Sequence, residues 1–285
     1  MIATTSSPAP AAAPADHPVL RTMLSRLHPL VMGVLNITPD SFSDGGQFVA
    51  PEHALAQARR MIAEGADIID IGAESTRPYG AQPVTAEEEL QRLRPILAEV
   101  VSLGVPVSID SMKAAVVGWA LDAGASVAND VWGLQRDPDM ARLLAERHSP
   151  VIVMHNRDRV DEDIDIMRDI AAFFTRSLAI ADEAGISREK IVLDPGIGFG
   201  KTAEQSMTAL ARLDELGAFR LPLLVGASRK RFISSVVPSE PDRRLGGSIA
   251  AHLIAARGGA RIIRTHDVAE TVQALRVAAA IEERR

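Results

Sequence analysis

Gly65-Ala66-Asp67-Ile68-Ile69-Asp70 compresses three signals into one short stretch: a glycine able to end a helix, a polar turn, and an apolar run carrying a charge. The same plan returns at Gly124-Ala125-Ser126-Val127-Ala128-Asn129 and at Gly259-Ala260-Arg261-Ile262-Ile263-Arg264. Turn chemistry common to α/β proteins accounts for this likeness as readily as an internal repeat does. Either way the local expectation is a helix end, a tight turn, a buried strand and a polar residue where the strand opens.

Outward from these stretches, further short apolar runs mark strands at 31–37, 67–72, 106–110, 126–130, 150–155, 191–194, 222–225 and 261–264. They are continuous rather than alternating, as parallel strands covered on both faces require. Helical patterns separate them. Thr85 and Glu88 form a capping box ahead of Leu90, Leu93, Leu97 and Val100, and Thr202 and Gln205 form another. Pro95 falls inside the first of these helices and is expected to kink it, because it has no N–H to donate. Gly65, Gly104, Gly124, Gly185 and Gly217 stand where helices should stop in a left-handed residue. The rhythm is α/β and favours a (β/α)8 TIM barrel over an open sheet. The barrel is expected over residues 29–285, behind a flexible N-terminal tail at 1–28 that is rich in Ala, Pro, Ser and Thr.

The length of 285 residues suits one such barrel, which needs about 250. A composition 47% hydrophobic and 24% charged excludes disorder as the main state. Lys+Arg 31 against Asp+Glu 37 leaves a net charge of −6, which argues against nucleic acid as a partner. With no cysteine there is no disulfide, thiolate metal site or cysteine nucleophile. No apolar run approaches the ~20 residues of a membrane span, and the N-terminus lacks a secretory pattern, so a cytoplasmic location is expected.

In a parallel barrel the reactive face lies where the strands end. Those ends carry Asn36, the segment after Gly72, Asp110, Asn129, His155, Asp194, the segment after Gly226, and Arg264 with His266. Any one of them could be a turn former; together they describe a site. The run from Asp194 to Thr202 looks like a phosphate-binding loop, but Pro195 stands where that pattern needs glycine, and Lys201 where a dinucleotide loop needs its third. What remains is a glycine-rich backbone able to approach a flat ligand, with Phe199 to pack on it. The loop from Asn36 to Gly46 reads as a surface loop or a mobile lid. Arg229 and Lys230, near a helix start after the seventh strand, suit a phosphate.

Several of these segments resemble one family. Gly33-Val34-Leu35-Asn36-Ile37-Thr38-Pro39-Asp40-Ser41-Phe42-Ser43-Asp44-Gly45-Gly46 is similar to the dihydropteroate synthase signature. So are Glu74-Ser75-Thr76-Arg77-Pro78, Ser108-Ile109-Asp110, Asn129-Asp130, Asp194 to Lys201, Ser228-Arg229-Lys230 and Arg264-Thr265-His266-Asp267. The likeness runs over about 31–282 in the family's order. It implies a folate-pathway enzyme that joins 4-aminobenzoate to 6-hydroxymethyl-7,8-dihydropterin pyrophosphate and releases pyrophosphate.

The resemblance implies a pterin site of Asp110, Asn129, Met154, Asp194, Phe199, Gly226 and Lys230. It places the pyrophosphate on Asn36, Thr76, Arg77, Arg264 and His266, with Mg²⁺ held by Asn36. It places 4-aminobenzoate on Thr76, Arg77, Pro78, Phe199, Ser228 and Lys230. Asp110, Lys230 and Asn36 are the implied catalytic residues, and Asp194 the pterin anchor, since a carboxylate's two oxygens match adjacent N–H donors on the pterin edge. A homodimer and sensitivity to sulfonamides, which mimic 4-aminobenzoate, are implied in the same way. Arg77, Arg229, Lys230, Arg264 and His266 are expected to gather as local positive charge within an acidic protein. Two stretches depart from the family pattern: Ser111 stands where many relatives have Thr, and Asn156-Arg157-Asp158 where Met-Gln-Gly is usual. A pterin-dependent corrinoid methyltransferase of the same fold is the competing reading, but it has no need of the Asn36–Gly46 segment or of Ser228-Arg229-Lys230. A silent pterin-binding protein would be expected to lose Asn36, Asp110, Lys230 or Arg264, and all four are present.

Overall fold

The computed structural model describes residues 28–37, 49–74 and 84–284. Its strands close in chain order into a parallel barrel of eight: β1 (Leu30–Asn36), β2 (Ile68–Gly72), β3 (Val107–Asp110), β4 (Val127–Asp130), β5 (Val151–Met154), β6 (Ile191–Asp194), β7 (Leu223–Val225) and β8 (Ala260–Thr265). Each expected strand is present to within a residue or so. The helices are α1 (Val49–Ala63), α2 (Ala86–Leu93), α3 (Leu97–Val101), α4 (Ala114–Asp122), α5 (Met140–Glu146), α6 (Ile166–Ala184), α7 (Ala203–Ala211), α8 (Arg231–Val236), α9 (Leu245–Arg257) and α10 (Val268–Glu282). The expected tail lies outside the described residues, apart from His28.

Two apolar layers hold the barrel. The larger lies between strands and helices, where Ile69, Ile71, Val117, Leu144, Val153, Phe174 and Ile263 are fully buried. The smaller fills the barrel's interior with Leu30, Met32, Ile68, Val127, Ile152, Val192, Leu224 and Ile262. The strands are apolar runs because successive residues serve these two layers in turn.

Both capping boxes form: Thr85 with Glu88 at α2, and Thr202 with Gln205 at α7. Pro95 does more than kink its helix. It divides it into α2 and α3: residue 95 has no N–H for the hydrogen-bond ladder, and although Arg94 keeps helical geometry, Ile96 leaves it at φ −125°. The three repeated stretches share their backbone, with Gly65, Gly124 and Gly259 at φ 100°, 104° and 97°. Ala66 N–H donates to Met61 O and Ala125 N–H to Ala120 O, both at 2.9 Å, the bond that closes a left-handed helix end. Gly217 is the exception among the expected helix stops. A 3₁₀ segment, Leu213–Phe219, runs through it, and the left-handed residue is Arg220 at φ 56°.

Candidate active site

The site is the next layer of the barrel interior above the apolar plug. Side chains of a strand return to the same face every second residue, so Ile68 is followed inward by Asp70, Ser108 by Asp110, Val127 by Asn129, Ile152 by Met154, Val192 by Asp194, and Ile262 by Arg264. Strand pairing sets them side by side: Gly72 beside Asp110, Asp110 beside Asn129, and Met154 beside Asp194. On β1 the same parity runs Leu30, Met32, Val34, Asn36. Asn36, half-buried and opposite Gly72, makes no side-chain hydrogen bond among the described residues.

Asp110, Asn129 and Asp194 are buried, as is Asp70, which sequence reasoning does not single out as a site residue. Asp70 is the hub of the layer. One of its oxygens accepts from Arg264 Nε at 2.6 Å, and its carboxylate faces Asn129 Nδ2 at 3.3–3.4 Å. Arg264 Nη2 donates to Asp110 Oδ2 at 2.8 Å. An acceptor-only carboxylate beside Asn129 requires its amide nitrogen on that side, which turns Oδ1 the other way. Asn129 Oδ1 and Asp110 Oδ1 are both buried without a hydrogen-bond partner among the described residues. Two desolvated acceptors in one layer call for a ligand with N–H donors.

Burial dominates the titration of this layer. It pushes Asp110 up to about 7, with the Asp70 and Glu89 charges adding and Arg264 opposing. It raises Asp194 to about 6, against the Gly196 N–H and the charges of Lys230, Arg264 and Lys201. Arg264 is held above the ordinary guanidinium range by Asp70 and Asp110, which outweigh its own desolvation.

Of the positive charge expected to gather here, Arg77 lies outside the described residues, while Arg229, Lys230 and Arg264 all act on His266 and the first and last of them are offset by carboxylates. Arg229 binds Asp267, with Nε 3.1 Å from the carboxylate, and its left-handed backbone (φ 58°) is held by an N–H donated to Ser248 Oγ at 2.9 Å. His266 is half-buried and drawn down to about 3, first by desolvation and then by the Arg264, Arg229 and Lys230 charges, so it is neutral. Its Nδ1 lies 3.0 Å from Ser228 Oγ, which also accepts from His266 N–H at 3.2 Å. Ser228 and His266, assigned to different substrates by resemblance, are thus one hydrogen-bonded pair. Arg264 is matched by two carboxylates. Buried acids stand against half-buried bases, and no net cationic funnel forms among the described residues.

The glycine-rich loop after β6 makes close contacts within the chain as well. Gly196, Gly198 and Gly200 are all left-handed, at φ 64°, 80° and 56°. A Cβ on Gly196 would stand 1.9 Å from His155 O, and one on Gly200 2.5 Å from Arg157 Cβ. Gly196 and Gly200 therefore let the loop press on the fifth loop, the segment that departs from the family pattern. Phe199 packs with Val131 and Met154, against Met112 and Trp132. Lys230 Nζ sits 4.0 Å above the Phe199 ring, a cation–π contact joining two residues expected in both substrate pockets. Gly226 leaves room beside Arg264, whose Cβ is 3.7 Å from where a Gly226 Cβ would be.

Thr76, Arg77 and Pro78 lie outside the described residues, as does the Thr38–Gly46 part of the first loop. The neck of the second loop is visible: Val84 N–H donates to Glu74 Oε1 at 3.2 Å, and Lys113 bridges Glu74 and the buried Glu89. A cavity of about 420 Å³ opens over the fifth loop, lined by Trp132, Arg157, Asp169 and Phe173 among others. None of the strand-end site residues lines it.

Fold and site together define a (β/α)8 barrel enzyme whose upper interior layer is built to bind a donor-rich, planar ligand. Residues 32–266 match the family model described as pterin binding enzyme, and the chain belongs to that family. It is 44% identical over 263 residues to the dihydropteroate synthase of Escherichia coli strain K12, covering 90% of this chain and 93% of that one. A probable bifunctional folylpolyglutamate synthase/dihydropteroate synthase of Haloferax volcanii is 47% identical over 257 residues, but the chain spans only 30% of its length. Among solved structures, a dihydropteroate synthase from Clostridium difficile, determined in the presence of pteroic acid, superposes with a TM-score of 0.87 at 45% identity, covering 90% of this chain and 97% of that one.

Proposed function

We propose that this chain is a dihydropteroate synthase, condensing 6-hydroxymethyl-7,8-dihydropterin pyrophosphate with 4-aminobenzoate to give 7,8-dihydropteroate and pyrophosphate. The observation that carries the reading is the pair of buried, unpartnered acceptors, Asp110 Oδ1 and Asn129 Oδ1, in one layer with Asp194. A pterin's ring and exocyclic N–H groups satisfy such a layer, whereas an apolar or acceptor-rich ligand leaves it desolvated and unpaired. Asp194 binds the amino-pyrimidinone edge with Asn129 and Lys230, while Met154, Phe199 and Gly226 frame the ring.

The reaction breaks the methylene C–O bond, and its electron pair leaves with pyrophosphate. Positive charge develops on the pterin methylene, and the ionised Asp110 stabilises it from a site excluded from water. The 4-aminobenzoate amine then donates its lone pair to form the C–N bond and releases a proton. Phe199, Ser228 and Lys230 hold that substrate, joined by Thr76, Arg77 and Pro78 from the second loop. His266 serves the leaving group as a neutral N–H donor rather than a cation. Arg264 keeps Nη1 for it, because its bonds to Asp70 and Asp110 use only Nε and Nη2.

Asn36 fits a magnesium role, because its amide makes no hydrogen bond among the described residues and Mg²⁺ usually takes only one or two protein ligands beside water and substrate phosphates. When bound there, the ion supplies charge to balance the departing pyrophosphate. A homodimer is supported by exposed Val236 and Val237 at the end of α8, Ile254 on α9, and Val277 and Ile281 on α10, which are 51–65% exposed. No described helix is long and apolar enough to cross a membrane, which accords with a cytoplasmic location. Pyrophosphate release by the purified protein should require both 4-aminobenzoate and Mg²⁺, and a sulfonamide should compete with 4-aminobenzoate. Absence of release with the pterin pyrophosphate and both additions present rejects the assignment.

A further inference from the structure

Lys201 ends the glycine-rich loop where a phosphate-binding loop would carry its lysine, yet it is 6% exposed and turned into the protein. Its Nζ meets three acceptors: Gly196 O at 2.9 Å, Phe199 O at 3.1 Å and His155 Nδ1 at 2.6 Å. An ammonium has three N–H donors and no acceptor, so the set closes with none left over. A neutral amine would close the set only by accepting from His155 Nδ1–H, which would leave a bare Nε2 against the Asp169 carboxylate 3.0 Å away. With Nδ1 accepting, the fully buried His155 carries its proton on Nε2, which faces Asp169 Oδ2 at 3.0 Å. Asp169, on α6, is one-third exposed and faces Arg157 from the fifth loop. A proton-ordered chain therefore runs from the surface at Asp169, through His155 and Lys201, to the two carbonyls that bracket the loop beside Asp194.

We infer that Lys201 is a positioning residue for the pterin site: its ammonium fixes the carbonyls of Gly196 and Phe199, and its charge holds Asp194 as the carboxylate that anchors the ring. Both consequences follow from geometry. The Gly196 N–H that donates to Asp194 Oδ1 at 2.7 Å belongs to the residue whose carbonyl Lys201 holds. Phe199, held by the second carbonyl, is the ring beneath Lys230. The charged groups around Lys201 are Asp194 on β6, Asp169 on α6, Arg157 on the fifth loop and Lys230 after β7, with neutral His155 in contact. Burial draws Lys201 down to about 7 and His155 to about 4, while Asp194 and Asp169 support the ammonium. Lys201 therefore acts through Asp194 and Phe199 and touches no reacting atom.

The inference rests on Asp194 as pterin anchor, and the test separates the two. The probe is 7,8-dihydropteroate, its affinity measured from pH 5 to 8 on full-length wild type, Lys201→Met, Asp169→Asn and Asp194→Asn. With the buried charge gone, Asp194 should protonate more readily. In Lys201→Met the pH below which binding is lost should then rise by about one unit, and affinity at pH 7 should fall about tenfold. A folded Lys201→Met with the wild-type profile overturns the inference. Asp194→Asn binding as wild type overturns the anchor assignment instead. Should Lys201→Met fail to fold, ¹⁵N spectra of the wild-type histidines decide, with His155→Asn supplying the assignment. Neutral His155 protonated at Nε2 is the expected state, and protonation at Nδ1 overturns the inference. Asp169→Asn should shift the profile in the same direction by less.

Discussion

Two layers inside the barrel are built by the same strands, face the same way and lie two residues apart, yet they share almost no chemistry. The lower, from Leu30 and Met32 through Ile68, Val127, Ile152 and Val192 to Ile262, is apolar and fully packed. The upper holds Asp70, Asp110, Asn129, Asp194 and Arg264, with desolvated acceptors left unpaired. The lower layer makes the upper one costly and therefore useful. By filling the barrel it keeps water from entering below, so Asp110 and Asp194 are raised by burial and strengthened as electrostatic partners for a ligand. If the division is real, substitutions in the two layers should separate activity from stability.

The largest effect is expected from Asp110→Asn. It keeps the shape and one acceptor but removes the charge that faces the methylene cation. A loss of about 10²–10³ in kcat is expected by analogy with other pre-organised charge stabilisers. Pterin affinity should change far less, and the thermal midpoint should hold or rise, since a desolvated charge is removed. Steady-state kinetics beside a melting curve make the comparison. A drop confined to pterin affinity would move Asp110 from catalysis to binding.

Leu30→Ala tests the other layer. Leu30 is fully buried and lies three inward positions below Asn36 on β1. Truncation should cost about 2–5 kcal/mol of stability through lost transfer energy and a cavity. At temperatures well below melting, kcat and both KM values should stay near wild type. Denaturant unfolding beside an activity assay reads this out, and a large kinetic change would show the plug shaping the site directly.

Much of this architecture is legible in the residues alone, and the exceptions have physical causes. Strands show because burial on both faces leaves unbroken apolar runs. Asp110, Asn129, Asp194 and Arg264 show because polar groups at strand exits are conspicuous. Asp70 escapes a reading that looks only at exits, since Gly72 and not Asp70 ends β2. The signal is nonetheless present: a charge inside Ile68-Ile69-Asp70-Ile71 shares inward parity with Ile68 and cannot be buried without a partner. Lys201 escapes because a lysine after glycines suggests phosphate, and only the folded loop shows it facing three acceptors of its own chain. Counting cations misleads for a similar reason. Asp70 and Asp110 are distant in sequence from Arg264, and Asp267 from Arg229, so the neutralising partners do not show along the chain.

The upper layer's burial also predicts a pH dependence. Ordinary carboxylates are ionised well below pH 6, so they leave kcat/KM flat near neutrality. Asp110, raised to about 7, must be ionised to stabilise a cation, and Asp194, at about 6, must be ionised to bind two donors. Activity should therefore fall as pH drops through 7, to about a tenth of its plateau or less one unit below the midpoint, and more steeply below 6, where Asp194 also protonates. In Asp110→Asn the limb near 7 should vanish while the one near 6 persists. A wild-type profile flat from pH 8 to 5 would mean that these carboxylates stay ionised despite burial.

The smallest effects belong to the barrel's opposite end, where turns lead into the strands and neither layer's chemistry reaches. Gly124 and Gly217 look alike in sequence, each preceding a strand, but only Gly124 is left-handed, at φ 104°, with Val101 Cγ1 2.9 Å from where an added Cβ would stand. Gly217 has no positive φ and nothing within 4 Å of an added Cβ. Gly124→Ala should therefore destabilise by about 1–2 kcal/mol, through the left-handed backbone and the crowding together. Gly217→Ala should leave stability unchanged or raise it by about 0.4–1 kcal/mol, because alanine narrows the unfolded ensemble at no cost to the folded turn. Denaturant midpoints of the two variants should move in opposite directions, or move for Gly124→Ala alone. Kinetics should move for neither, because both turns lie beneath the apolar plug, on the face away from the polar layer. A kinetic change in either variant would mean that the plug transmits strain upward rather than isolating the site.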